Sequence, residues 1–330
     1  MRRRQFIKLL GGTAATWPLA ARAQQSAVRR IGVLMGYPDT DSEGQAGVAA
    51  FQEGLQRLGW SLGDKVRIDT RWAAPGDTDV LHRFAKELVT LQPDLILSHS
   101  TPTTAALLQE TRTIPIVFAF VSDPLGSGFV ASFPHPGGNV TGFIVMEPGM
   151  AGKWLELLKQ IAPRVARVAI VFNPTTAPYA NYYLAPFKAA AQSFAVEDTV
   201  APVHNSGELE SVIAAQAREP NGGIIVMPDS FTDAHRVEII SLAARYALPA
   251  VYPFHYWAED GGLLSYGVDQ IDNFQRAAFY ADRILKGEKA GDLPVQTPSK
   301  FQLVINLKTA KALGLTISRD FLLVADEVIE

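Results

Sequence analysis

The sequence predicts an α/β protein of two lobes, each a parallel β-sheet flanked by helices. Three observations lead there. Short apolar runs alternate with amphipathic stretches, the strand, helix, strand rhythm that buries a parallel sheet between helices. That rhythm runs once, ends near residue 145, and starts again. The 330 residues suit two units at ~100–200 residues per domain. With 48% apolar and 19% charged residues, the composition is globular rather than disordered.

In the first lobe, residues 28–35 form a short apolar strand. Residues 42–59 form a helix, with Val48, Phe51, Leu55 and Leu58 at helical spacing and Gly59 placed to end it. Residues 65–72 alternate as Val66, Ile68, Thr70 and Trp72, a half-buried strand. Asp77 is placed to cap a helix over 78–91, whose apolar face is Leu81, Phe84, Leu88 and Val89. Strands at 94–97 and 114–121 flank a helix over 102–112 with Pro102 in its first turn.

In the second lobe, helices are expected at 153–161, 179–194, 208–217 and 233–246. Strands are expected at 165–172, 195–201, 223–227 and 250–253. The tail fits neither roster. Residues 262–267, a helix over 270–286, a loop over 287–298 and a strand over 301–306 read as crossings between lobes. The expected division is 28–145 plus about 255–286 for lobe one, and 146–254 plus about 296–330 for lobe two. The hinge crossings are expected near 144–150, 252–262 and 286–298.

The N-terminus carries an export signature. Arg2, Arg3, Arg4 and Lys8 precede an apolar run over 9–20, and Ala21-Arg22-Ala23 forms an A-x-A cleavage site before Gln24. The run is broken by Gly11, Gly12 and Pro18, and is too short to span a bilayer. Arg3-Arg4-Gln5-Phe6-Ile7-Lys8 is similar to a twin-arginine motif, with an arginine-rich Sec signal as the alternative. Either route places a soluble protein in the periplasm, with residues 1–23 removed. Five of the 30 basic residues and none of the 33 acidic ones lie in that segment, so the remainder carries 25 against 33, a formal charge of −8. That balance argues against nucleic acid as a partner, and no later run of 18 apolar residues offers membrane insertion. The sequence has no cysteine, which excludes thiol nucleophiles, iron–sulfur clusters and an acylated N-terminal cysteine.

In open parallel sheets, ligands sit beyond the carboxyl ends of strands. That rule selects Tyr37 after the first strand, Ser100 and Thr101 after the third, and Ser122 and Asp123 after the fourth. In the second lobe it selects Asn173 and Thr175, then Asp229, then Tyr252, with Tyr266 after a crossing. Ser100 and Thr101 would donate to a ligand carboxylate or cap the helix behind them. Asp229 would accept from an ammonium or cap a helix, for which Asp233 is better placed. Asp123 would bind or start a turn at Pro124. Tyr37, Phe120, Tyr179, Tyr252 and Tyr266 would wall an aromatic pocket or pack in the core. One anion site, one cation site and aromatic walls suit an amino acid or an aromatic carboxylate.

Enzyme motifs are sparse. Gly126-Ser127-Gly128-Phe129-Val130-Ala131 matches G-x-G-x-x-A, but Asp123-Pro124 interrupts the strand-to-glycine turn a dinucleotide needs. There is no P-loop and no G-x-S-x-G elbow, and none of the six histidines forms H-x-x-x-H. No cofactor, metal or catalytic residue is expected.

Several segments carry a family likeness: IGVLMGYPD (31–39), FQEGLQRLGW (51–60), IPIVFAFVSDPLGSGFVASFPHPGGNVTGF (114–143) and KWLELLKQIAPRVARVAIVFNP (153–174). MPDSF (227–231), GGLLSYGVD (261–269), DLPVQTPSKFQLVINLKTAKALGLTI (292–317) and ADEVIE (325–330) continue it. In these segments the chain resembles the substrate-binding proteins of ABC transporters, in particular the tryptophan/tyrosine-like group. The resemblance implies the type I periplasmic binding fold, two Rossmann-like lobes with parallel sheets joined by a multi-segment hinge. It implies a small-molecule ligand in the cleft and, as partners, ABC permease membrane subunits with a separate ATPase. The sequence departs from the family at Ser98-His99-Ser100, where relatives usually carry a glycine. A periplasmic ligand-sensing subunit for a histidine kinase or chemoreceptor, and an exported enzyme, are the alternatives.

Overall fold

The computed structural model describes residues 28–330, so the expected leader over 1–23 lies outside the described residues. The first lobe holds β1 (Arg29–Met35), α1 (Ser42–Arg57), β2 (Val66–Trp72), α2 (Thr78–Thr90), β3 (Leu95–Ser100), α3 (Thr101–Glu110), β4 (Ile116–Val121) and β5 (Val140–Ile144). Its sheet runs β2-β1-β3-β4-β5 with every pair parallel. β3 and β4 are buried along their whole length, as inner strands covered on both faces must be. Asp41 and Asp77 start α1 and α2 by accepting from the backbone of Gly44 (2.8 Å) and Val80 (3.0 Å).

The second lobe opens with α4 (Met150–Ile161), β6 (Arg167–Phe172), α5 (Ala180–Ser193), β7 (Glu197–Pro202), α6 (Ser206–Gln216) and β8 (Gly222–Val226). It continues with α7 (Ser230–Ala234), α8 (Arg236–Arg245), β9 (Ala250–Tyr252), α9 (His255–Glu259) and β10 (Leu264–Val268). The chain then makes α10 (Gln270–Leu285) on the first lobe and returns as β11 (Phe301–Asn306), α11 (Leu307–Ala312), α12 (Arg319–Leu323) and β12 (Glu327–Ile329). The second sheet runs β12-β11-β10-β9-β8-β6-β7, parallel except at β10–β11. The architecture is thus α/β with two lobes of Rossmann-like build.

The tail departs from the expected division. Residues 255–268 were expected in lobe one, but β10 pairs with β9 and β11 in the second sheet. α9 is tied there as well, because Asn306 donates to the Ala258 carbonyl (2.9 Å) and Thr309 to that of Gly261 (2.8 Å). The second crossing is therefore at Asp269 rather than 252–262, and Asp269 at once caps α10 through Ile271 (2.9 Å). The first crossing occupies 145–149. The third comes late, because Val295 and Gln296 still bond to Phe133 (2.7 Å) and Gly142 (2.9 Å) of the first lobe.

α10 belongs to lobe one by packing. Glycines on α1 let it approach closely: a Cβ at Gly47 would lie 2.4 Å from the Phe274 ring, and one at Gly54 would lie 2.6 Å from Ala278. Asn273 donates to the carbonyls of Ala119 (3.0 Å) and Ile144 (3.3 Å), fixing α10 across β4 and β5. β5 itself holds Gly142 at φ +150°, where a Cβ would sit 2.0 Å from the Phe118 carbonyl oxygen. The single helix expected over 233–246 is two, α7 and α8, broken at His235. Among the described residues, no helix is long and apolar enough to cross a membrane.

Candidate functional site

The carboxyl ends of the inner strands of both sheets face each other across a cleft. Lobe one contributes Tyr37 after β1, His99 and Ser100 at the end of β3, and Phe120 and Ser122 at the end of β4. Lobe two contributes Thr176 and Tyr179 after β6, Asp229, Ser230 and Asp233 after β8, and Phe254 after β9. The enclosed cavity is about 30 Å³. A second space of about 30 Å³ adjoins it past Ser100, Thr176 and Ser230. A cavity that takes benzene is ~150 Å³, so a larger ligand must enter with the lobes apart or rearrange the wall.

The lobes touch across this cleft. Phe120 meets Phe254 with ring centroids 5.9 Å apart. Ser122 Oγ is 3.2 Å from the Tyr183 hydroxyl of α5, which also donates to the Met146 carbonyl (3.3 Å). Arg236 at the start of α8 reaches Asp41 at the start of α1 (3.4 Å) as well as Asp260 (2.8 Å). Its guanidinium also lies 5.4 Å from the Tyr256 ring centre. The described conformation is closed, and Arg236 with Asp41 forms a clasp beside the cleft. Removing it with Arg236→Ala is expected to favour the open form and to weaken ligand binding about tenfold. Titration calorimetry of the variant against the parent reads this directly; an unchanged affinity would remove the clasp from closure.

Two buried carboxylates face the cleft, and their surroundings differ. Asp229 is fully used: Oδ2 accepts from the Asn173 amide (2.7 Å), and Oδ1 from the Phe231 amide (3.0 Å) and the Thr176 hydroxyl. Asp233 Oδ1 accepts from the Tyr256 hydroxyl (2.8 Å) and the Trp257 indole (3.0 Å); among the described residues no donor meets Oδ2 at good hydrogen-bond geometry, although the Tyr37 hydroxyl lies near the carboxyl. Burial pushes each carboxyl up to about 6. For Asp229 the Thr176 hydroxyl and the two amides oppose that shift, and for Asp233 the Tyr37 and Tyr256 hydroxyls and Arg236 oppose it. Among the described residues, no lysine or arginine lines either space of the cleft. The aromatic wall is continuous: Tyr37 lies 4.5 Å from His99, and His99 lies 5.7 Å from Phe120 and 6.2 Å from Phe274, centre to centre.

Of the residues selected from the sequence, Tyr37, Ser100, Ser122 and Asp229 line the cavity and Thr175 lines the adjoining space. The others are placed elsewhere. The Thr101 hydroxyl is spent on the backbone of Ser122, accepting from its amide (3.1 Å) and donating to its carbonyl (3.2 Å). Asp123 makes the turn, accepting from Gly126 (2.8 Å) at φ +47°. Asn173 accepts from the Thr175 amide (2.8 Å) and shapes the loop. Tyr252 stacks on Trp257 (4.9 Å) in the core of lobe two, and Tyr266 lies against Phe301 (5.9 Å). Asp233, expected as a helix cap, and His99 and Phe254, not selected as ligand contacts, are on the wall. The strand-end rule reaches His99 and Phe254 equally well; nothing in the sequence marks Asp233 over Asp229.

Comparison with known proteins settles the family. The profile of the family described as "ABC transporter substrate binding protein" matches residues 40–329. The chain belongs to that family. These ABC substrate-binding proteins are solute-binding proteins rather than enzymes. One relative is a "Tyrosine-binding protein" of Clostridioides difficile (strain R20291), 26% identical over 87% of this chain and 81% of its own length. A solved ABC domain from Streptococcus pneumonia in complex with L-Trp has a TM-score of 0.85 and 28% identity, covering 92% of this chain and 100% of that one. A conserved domain protein from Vibrio cholerae has the same TM-score and identity, covering 91% and 99%. The fold is that of the type I periplasmic binding proteins.

Proposed function

We propose that this substrate-binding protein is the exported receptor of an ABC importer and that it binds an aromatic amino acid. The observation that carries the ligand class is the buried Oδ2 of Asp233, which no donor among the described residues meets at good hydrogen-bond geometry, on a cavity wall shared with aromatic rings. A buried carboxylate oxygen without a donor is costly, and a ligand ammonium satisfies it by a charge-assisted bond. With no basic side chain in the cleft, the ligand carboxylate goes to the start of α3, where Ser100 lies in both spaces. Tyr37, His99, Phe120 and Phe254 then enclose the ring. The tyrosine-binding relative and the L-Trp complex support this class. Asp229 acts one step back, holding the Asn173 loop and Thr176 in place.

In this reading the protein works in the periplasm after loss of residues 1–23, and the closed lobes present one surface to the permease, whose ATPase is a separate chain. Mass spectrometry of the exported protein should find Gln24 at its N-terminus; an intact Met1 would count against export.

The ligand class is tested by thermal shift of residues 24–330 against the amino acids. A ligand at 100 times its dissociation constant stabilises by about 2.7 kcal/mol. Tryptophan or tyrosine is expected to give the largest rise in melting temperature. A rise only with uncharged solutes would overturn the ammonium anchor at Asp233.

A further inference from the structure

We propose that His99 determines specificity: its neutral imidazole hydrogen-bonds a polar atom on the ring of the ligand, so that tyrosine or tryptophan is preferred to phenylalanine. The inference rests on the aromatic amino acid reading above and adds which ring is chosen.

His99 is 2% exposed at the carboxyl end of β3, on the cavity wall. Among the described residues, neither Nδ1 nor Nε2 has a hydrogen-bond partner. Buried polar groups are nearly always paired, so a cavity-wall side chain with two unmet ring nitrogens is unfinished without a ligand. Packing fixes the ring in place: Phe274 lies nearly parallel to it, 7° between planes, and Tyr37 and Phe120 close on it from β1 and β4. Gly36 packs closely against the ring, since a Cβ there would lie 3.3 Å from Nδ1 and crowd it.

The same apolar packing keeps the imidazole uncharged, because burial lowers its pKa to about 3. A neutral imidazole has one donor and one acceptor nitrogen. It serves a phenol in either sense and an indole N–H as acceptor. A phenyl ring offers neither, and its binding would leave both nitrogens unpaired in a closed site. Sites built to hydrogen-bond a ligand group reject analogues that lack it far more strongly than apolar pockets reject an extra group.

The experiment is titration calorimetry at pH 7.5 with L-tyrosine, L-tryptophan and L-phenylalanine on the parent, His99→Phe and His99→Asn proteins. The parent is expected to prefer tyrosine or tryptophan over phenylalanine by about tenfold or more. His99→Phe should bring the ratio to within about twofold, and His99→Asn, which keeps a donor and an acceptor, should keep part of it. Nitrogen-15 spectra of the parent imidazole supply a readout independent of variant folding: His99 resonances should move with the preferred ligand and stay put with phenylalanine. A parent that binds phenylalanine equally well, a ratio intact in His99→Phe, or a silent His99 signal would overturn the proposal and leave the amino acid reading standing. Binding of none of the three would overturn that reading and this one together.

Discussion

Asp233→Asn is expected to raise the melting temperature of the ligand-free protein at pH 8 by several degrees, and to abolish ligand binding. Burial is the largest cause that pushes the carboxyl up to about 6 from its ordinary 3.8. A folded-state pKa above the unfolded one means that the carboxyl's favourable contribution is complete below about 3.8 and lost as pH rises through about 6. At pH 8 the charged form therefore costs the fold about 2–3 kcal/mol. Asparagine keeps an oxygen for the Tyr256 hydroxyl and the Trp257 indole without the charge. The gap between variant and parent should shrink as pH falls below 6 and vanish near 4. Scanning calorimetry between pH 4 and 8 checks it; equal melting at pH 8 would refute the desolvation argument. The binding loss should be about 2–5 kcal/mol, since the ammonium of the proposed ligand would lose its anion. Asp229→Asn is the contrast. Its carboxylate accepts from three donors, and an amide has one accepting oxygen for them. That variant should be less stable than the parent although the two carboxyls share the same pKa.

The second large effect is expected at Gly47, far in sequence from the cleft wall it supports. Gly47→Val places a side chain where the Phe274 ring already lies, 2.4 Å from the nearest Cβ position. The ring is 1% exposed, packed in the core of the first lobe. Overpacking of this kind costs about 1–3 kcal/mol. Phe274 also stacks on His99 and on Phe120, each 6.2 Å away, so its displacement should distort the site. Stability and ligand affinity are expected to fall together. Gly149→Ala is the control, because a Cβ there meets nothing within 4 Å and both properties should hold. A Gly47→Val protein with parental affinity would separate helix packing from the site.

Much of the first lobe was legible in the sequence because each strand is short and apolar and each helix has one apolar face. β5 was not: it begins after Gly137-Gly138 and contains Gly142, which reads as turn chemistry until Phe118 is seen pressed against it. The helix over 270–286 was legible as a helix, but its partner was not, since only the structure brings Gly47 and Gly54 under it. β10 and β11 read as crossings because an antiparallel pair made from two segments separated by a whole helix leaves no local signal. In the site, the strand-end rule reached loops that line the cavity but could not tell which of their side chains stand on its wall. Ser100 and Thr101 are neighbours, yet only Ser100 lines the cavity. Nor could it tell which of Asp229 and Asp233 keeps an oxygen free.

The return of α10 to the first lobe dictates when the protein can fold during synthesis. The glycine face of α1 stays uncovered until residues 270–285 have been made, and β10 has an open edge until 301–306 follow. Neither lobe closes on a nascent chain that stops at residue 260. At ~5–20 residues per second, the stretch from residue 261 to residue 306 takes on the order of 2–9 s, during which the two lobes expose apolar surface to any chaperone or protease at hand. Folding of the first lobe therefore waits on α10, and that of the second on β11.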